Sequence, residues 1–303
     1  MINQELIRDV TLELLRKASY GVPADVKKAL QSAWEEEKDW MAKEHLDMML
    51  KNIEVAEEEK IPTCADTGMP LFYVKIGTEC RIPGGASTIE EGIKEGVRLA
   101  VNEVPMRPSA IHPFTRFNPN TNVGPYMPYL AWKFKKDFDG VEITANPKGN
   151  GTERIAAYST VVFGENYQGF KKFVLDSLVA AGKRKYCWPV IVGIGVGGVS
   201  NIAMQLAREA STLRPIGERH PESLIQGLEV ELLGKINLLG IGPMANFGHT
   251  SALDVFIEYA YTGHGGKDVY VGINYECPMA RRATARIDRD GSVSNLDYPH
   301  WLR

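Results

Sequence analysis

The chain has 303 residues, 44% of them apolar and 24% charged, with a net charge of -3. That is an ordinary globular balance, long enough for one large domain or two modest ones. It has no basic excess for nucleic acid or an anionic membrane surface, and no apolar run long enough to span a bilayer. The four cysteines, Cys64, Cys80, Cys187 and Cys277, are few and far apart. The opening stretch is an amphipathic helix pattern rather than a signal peptide. The cysteines therefore read as reduced thiols of a cytoplasmic protein, not as a disulfide framework.

Residues 3–58 predict two or three helices. Leu6, Val10 and Leu14 recur at four-residue spacing, and Pro23 stands where a helix starts. Met41, Leu46 and Met49 fit a core face. From Pro62 the texture changes. "LFYVKIGTEC" predicts a strand, and "TIEEGIKEGVRLAVNE" a helix capped by Thr88 with Glu91 three residues on. The tract "VPMRPSAIHPFTRFNPNTNVGPYMP" is irregular and long, as functional loops often are.

"GVEITANPKGNGTERI" predicts a strand entering a Gly-rich turn, and "NYQGFKKFVLDSLVAAGKR" a helix. "CWPVIVGIGVGGVSNIAMQLAREAS" predicts strand, glycine turn and helix. "SLIQGLEVELLGKINLLGIG" predicts a helix with a Gly stop. "DVYVGINYEC" is a strand reaching Cys277, and "ATARIDRDGSV" a strand with a D-G turn. Strands and helices mix without strict alternation, so the expected class is α+β. The expected organisation is an N-terminal helical segment, 1–60, followed by a domain, 61–303, in one compact unit.

Gly193, Gly195 and Gly198 fit the G-x-G-x-x-G pattern between a predicted strand and helix. Glu218 lies about 20 residues on, where a ribose-binding acid would fall. A nucleotide-binding oxidoreductase is therefore one alternative. Against it, the motif lies deep in the chain, and "LRPIGERHPE" does not read as a strand end. Glycines for a tight turn, or backbone N–H groups aimed at an anion, fit either function.

Cys64, Cys187 and Cys277 each open or close a predicted strand beside polar loop residues. None sits in a C-x-x-C pair, so a zinc ribbon or thioredoxin motif is unsupported. Three converging thiolates would hold three corners of a [4Fe–4S] cluster and leave one iron open. On spacing alone, three buried structural cysteines fit as well.

The surrounding residues shift that balance. "IPTCADTG" resembles the C-Q-D-T-G segment of the class I fumarase and tartrate dehydratase family of iron–sulfur hydro-lyases. "RPSAIHPFTRFNPNTN" resembles its arginine segment, and "NPKGNGTE" its P-K-G-G-G-S-E turn. "CWPVIVGIGVGG" and "LGIGPMANFGHTSALDVFIE" are similar to its central glycine-rich segments. "GHGG" with "NYECPMARRATA" resembles its closing histidine and cysteine segment. The matches run in family order from about residue 61 to 287.

The resemblance implies a class I fumarase α-type fold, with N-terminal helices followed by mixed sheets and flanking helices. It implies a [4Fe–4S] cluster held by Cys64, Cys187 and Cys277, with Asp66 and His264 as catalytic groups. Arg107 would bind a substrate carboxylate, with Arg116 a second candidate, and Gly151 would offer a backbone contact. Cys80 matches no ligand. Lys148 has the default reading of a solvated lysine. The implied reaction is reversible hydration of a small dicarboxylate: fumarate or malate, tartrate, or a substituted analogue. The proton-transferring threonine belongs to a separate β part, so the resemblance implies an α subunit in an α2β2 assembly.

Four positions depart from the family pattern: Ala65 in place of glutamine, Asn150 in the glycine turn, and Met244 and Phe247 in a Gly-rich loop. They point to a substrate other than fumarate or plain malate. They also leave a non-catalytic cluster-binding scaffold as an alternative.

Overall fold

The computed structural model describes residues 1–183 and 187–302. Three helices open the chain: α1 (Gln4–Tyr20), α2 (Ala24–Glu36) and α3 (Trp40–Glu59). Asn3 and Asp39 cap α1 and α3 by accepting the amides of Leu6 and Ala42, while α2 starts after Pro23. Next come β1 (Met69–Gly77) and α4 (Ala86–Glu103). The cap of α4 is Gly85, not Thr88. Thr88 already lies inside the first turn, and its hydroxyl donates to the Pro83 carbonyl at 2.6 Å. Then follow β2 (Tyr129–Lys135), β3 (Gly140–Lys148), the single turn α5 (Asn150–Glu153), β4 (Ala157–Val162) and α6 (Gln168–Gly182). Arg184, the last residue of the helix expected there, lies outside the described residues. The remainder is β5 (Val190–Gly197), α7 (Ser200–Leu213), α8 (Ser223–Asn237), β6 (Ala252–Ala260), β7 (Asp268–Glu276), β8 (Ala283–Asp288) and β9 (Val293–Leu296).

The fold is α+β, built on two mixed sheets. One has the order β2-β1-β3-β8-β9, the other β4-β7-β5-β6. Only the pairs β1–β2 and β5–β6 are parallel. The periodicity gives no expectation for β2, β4 and β6, and all three are edge strands. An edge strand has a neighbour on one side only, which weakens its apolar alternation.

Each sheet has its own core. Phe72, Val74 and Ile76 of β1 alternate toward α1 and α4, which cover one face of the first sheet. On the second sheet, Val190, Val192 and Ile194 meet α6 and α8. The opening helices divide between the cores, since α2 and α3 pack with Ile191 and Phe256 of the second sheet.

Helix α7 lies across β5 and β7 and also reaches the first sheet, where its Leu213 packs with Tyr73, Ala131 and Trp301. That position explains the glycine pattern. A Cβ on Gly193 would stand 2.0 Å from the Ala207 carbonyl oxygen, and one on Gly195 would stand 1.9 Å from that of Ala203. These glycines let helix backbone lie directly on strand backbone. β5 itself runs between an antiparallel and a parallel neighbour, unlike the parallel sheet of a dinucleotide fold.

Candidate active site

The site lies where the two sheets meet at one end. Cys187 stands just before β5 and Cys277 just after β7, and the register pairs Ile191 with Glu276, so both cysteines fall at the same end of the second sheet. Cys64 stands ahead of β1, whose first residue, Met69, pairs with Lys148 at the end of β3. Lys148 forms a buried ion pair with Glu276 at 3.1 Å, which joins β3 to β7 directly beneath the site. Lys148 is fully buried, not solvated, and also donates to the Tyr275 carbonyl and to Thr152 Oγ1.

The three thiols are close enough to act on one another. Cys187 is the most exposed of them. Desolvation raises its thiol, and Cys64 and Asp66 raise it further. Burial pushes the Cys277 thiol up to about 12, with Arg281 opposing and Cys187 adding to the rise. A thiol held that firmly to its proton becomes a thiolate when a cation sits against the sulfur. Among the described residues, no three His, Cys, Asp or Glu side chains close on one point as they would around a single ion. The donor set is all sulfur and soft. It suits an iron–sulfur cluster better than a lone hard cation.

The stretch from Cys64 to Gly68 forms the floor. Gly68 has φ +87°, and a Cβ there would stand 2.4 Å from the Pro147 carbonyl oxygen, so the turn requires glycine. Asp66 is half-buried, and its Oδ2 accepts the Asn150 amide at 2.8 Å and the Gly151 amide at 3.4 Å. That links two predicted site residues, Asp66 and Gly151. Arg107 is exposed above the same turn. Its amide donates to Thr67 Oγ1 at 2.7 Å, and its Nη1 to the Ala65 carbonyl at 3.1 Å. Arg116 is also exposed, further out in the irregular tract.

His264 is not brought to this centre within the chain. It lies in the exposed loop that enters β7 at Asp268, the end opposite Cys277. At about 3.3 Å per residue, a nine-residue strand separates its two ends by roughly 26 Å. Cys80 is also remote, following the far end of β1 against the first core.

Two residues at the site escape sequence reasoning. Asn122 is fully buried with φ 56°, and its side chain accepts the Ala110 amide and donates to the Arg107 carbonyl, both at 3.0 Å. It fixes the irregular tract under Arg107. Its signal was an asparagine in a tight loop, where the left-handed region is tolerated. The other is Arg281, 3% exposed, whose Nη1 donates to the Asp66 carbonyl. Beside Cys187 lies a cavity of about 440 Å³ lined by Thr63, Met244, Asn246, Pro278 and Met279 among others. One departure from the family pattern, Met244, therefore borders the site. Phe247 is exposed beyond it.

Residues 8–286 match the family described as "Fumarate hydratase (Fumerase)". The chain is 44% identical over 288 residues to a protein of Methanocaldococcus jannaschii named "Putative L(+)-tartrate dehydratase subunit alpha", covering 95% of this chain and 99% of that one. It is 30% identical over 292 residues to the "L(+)-tartrate dehydratase subunit alpha" of Escherichia coli (strain K12), covering 96% of this chain and 94% of that one.

Proposed function

This chain belongs to the fumarate hydratase family of hydro-lyases, and we propose that it is the α subunit of a [4Fe–4S]-dependent enzyme that reversibly hydrates a small dicarboxylate. The observation that carries the reading is the convergence of Cys64, Cys187, Cys277, Asp66 and Arg107 from distant parts of the chain. When bound, the cluster supplies a Lewis-acidic iron that polarises the substrate C–O bond.

The chain's own residues do the rest. Arg107 presents an exposed guanidinium, the group best matched to a carboxylate. Its backbone ties to Thr67 and Asn122 fix where that group starts. Asp66 faces the same turn with its carboxylate held by the Asn150 and Gly151 amides, placed to exchange a proton with the reacting hydroxyl. Gly151 offers backbone without a side chain. A β subunit would complete the site, as the naming of the relatives as α subunits suggests.

Ala65 and Met244 support a substrate bulkier or more hydroxylated than malate. Ala65 is exposed beside Arg107, leaving open the space a glutamine would fill, and Met244 borders the cavity next to Cys187. The test is turnover by the α chain and its β partner after anaerobic reconstitution, with L(+)-tartrate, malate and 2-methylmalate compared. We expect kcat/KM for tartrate or the methylated acid to exceed that for malate by at least about tenfold. Preference for malate would remove the substrate reading, and no turnover of any of them with an intact cluster would favour the scaffold.

We also propose that His264 acts on the thiol centre of a second α chain, because its own centre lies at the other end of β7. Two variants test this, Asp66→Asn and His264→Ala, each inactive alone. Mixed and reassembled in equal amounts, they should recover roughly a quarter of wild-type activity, since one site in four would inherit both native groups. No recovery on mixing would exclude action across chains.

A further inference from the structure

Among the described residues, three arginines are buried: Arg214, Arg281 and Arg282. Arg214 pairs with Glu229 at 2.5 Å, and Arg282 with Asp25 at 2.7 Å. Arg281 has no carboxylate within ion-pairing distance among the described residues, although it is 3% exposed. An isolated buried charge is costly, and proteins retain one where an opposite charge answers it. We infer that Arg281 is a positioning residue whose counter-charge is the anionic thiolate-bound cluster, and that it also ties the Asp66 turn to that cluster. The inference rests on the cluster reading above.

The surroundings specify both roles. Nη1 donates to the Asp66 carbonyl, which fixes the residue two places after Cys64. Nη2 lies beside Gly149: a Cβ there would stand 3.1 Å from Nη2 and 3.6 Å from Asp66 Oδ2. The guanidinium therefore runs along the turn that presents Asp66. Arg281 follows Cys277 by four positions, so one short segment carries both a proposed ligand and the guanidinium. The backbone is anchored as well, since the Arg281 carbonyl accepts Asn146 Nδ2 at 2.7 Å. One side chain thus ties the Cys64 segment to the segment that carries Cys277. A hydrogen bond to one carbonyl leaves most of the charge of a buried guanidinium unanswered.

The experiment uses the full α chain with its β partner, reconstituted anaerobically, as wild type, Arg281→Gln and Arg281→Lys. Four quantities are read: iron per chain, the rate of cluster release to a chelator, the reduction potential and KM. Removing a group that supports metal ligands typically costs about 10- to 100-fold in metal affinity. Arg281→Gln should release the cluster faster by that factor. Its potential should also fall, because reduction adds negative charge that nothing then answers. Arg281→Lys should restore the potential and bring release to within about fivefold of wild type, since it keeps the charge and loses only the planar fork.

Equal release and equal potential in Arg281→Gln and wild type would overturn the inference. So would an Arg281→Lys variant as defective as Arg281→Gln, because charge would then not be the cause. Should Arg281→Gln fail to fold by circular dichroism, Arg281→Lys decides alone by the same criterion. A raised KM with unchanged cluster release would assign the guanidinium to substrate instead. A wild-type chain that takes up no cluster would overturn the parent reading, and this one with it. A wild type that holds its cluster, beside a variant that holds it equally well, fails this inference alone.

Discussion

Replacing Cys64 by serine is expected to abolish stoichiometric iron binding and to lower dehydratase activity by more than about 100-fold, beyond what loss of a supporting group costs. The change removes one soft ligand and leaves a hydroxyl, which is a poor thiolate substitute. It should do little to the fold, because Cys64 is half-buried in a loop whose turn is fixed by Gly68 and by the Thr67 and Asp66 hydrogen bonds. Cys80→Ser is the matched control. Cys80 follows the end of β1 away from the site, packs against the first core, and its thiol is raised by burial there. It should keep full iron content and activity. The readouts are iron per chain and the broad visible absorbance of anaerobically reconstituted protein. Loss of iron on Cys80→Ser with retention on Cys64→Ser would reverse the assignment of the ligands.

Much of this site was legible because its chemistry is local. Cys64, Asp66 and Gly68 sit within five positions, and the turn there holds the Asp66 carboxylate and requires the glycine. The glycines of "VIVGIGVGG" were legible as a pattern but not as a purpose. Only the position of α7 shows that Gly193 and Gly195 admit helix backbone, a contact no window of sequence contains. The edge strands β2 and β4 were hidden because much of each is exposed, whereas β6 is largely buried under α7 and α8 and shows no alternation to read.

Charged residues mark the sharper limit. Lysine and arginine are almost always exposed, and a sequence reader assigns them so. Lys148 is buried because Glu276 and Tyr275, far along the chain, come to meet it, and the buried Arg281 reaches the equally distant Asp66 carbonyl. His264 shows the converse. Its residue type and motif point to the centre, yet β7 carries it to the other end of the sheet. A motif records which residues travel together in sequence, not where the fold carries them.

The largest effect on folding should come from Lys148→Met. Lys148 is fully buried and answers Glu276 at 3.1 Å, while Thr212 Oγ1 donates to the same carboxylate at 3.0 Å. Removing the lysine leaves Glu276, 3% exposed, as a buried carboxylate without a cation. Breaking such a pair from one side typically costs about 3–5 kcal/mol, because the remaining charge cannot regain water. Methionine fills much of the space, so lost volume accounts for little of that cost. Adding Glu276→Gln should return most of the stability, since the glutamine leaves no charge stranded and can still accept from Thr212. Urea denaturation of the four chains gives the double-mutant cycle, with an expected coupling of at least about 3 kcal/mol, since Glu276→Gln alone strands the buried lysine. The pair also sits between the turn that holds Asn150 and Gly151 and the strand end that delivers Cys277. The single variant should therefore lose iron as well as stability, and the double variant should regain both together. Recovery of stability without recovery of iron binding would show that Lys148 and Glu276 serve the thiol centre as charges, over and above joining the two sheets.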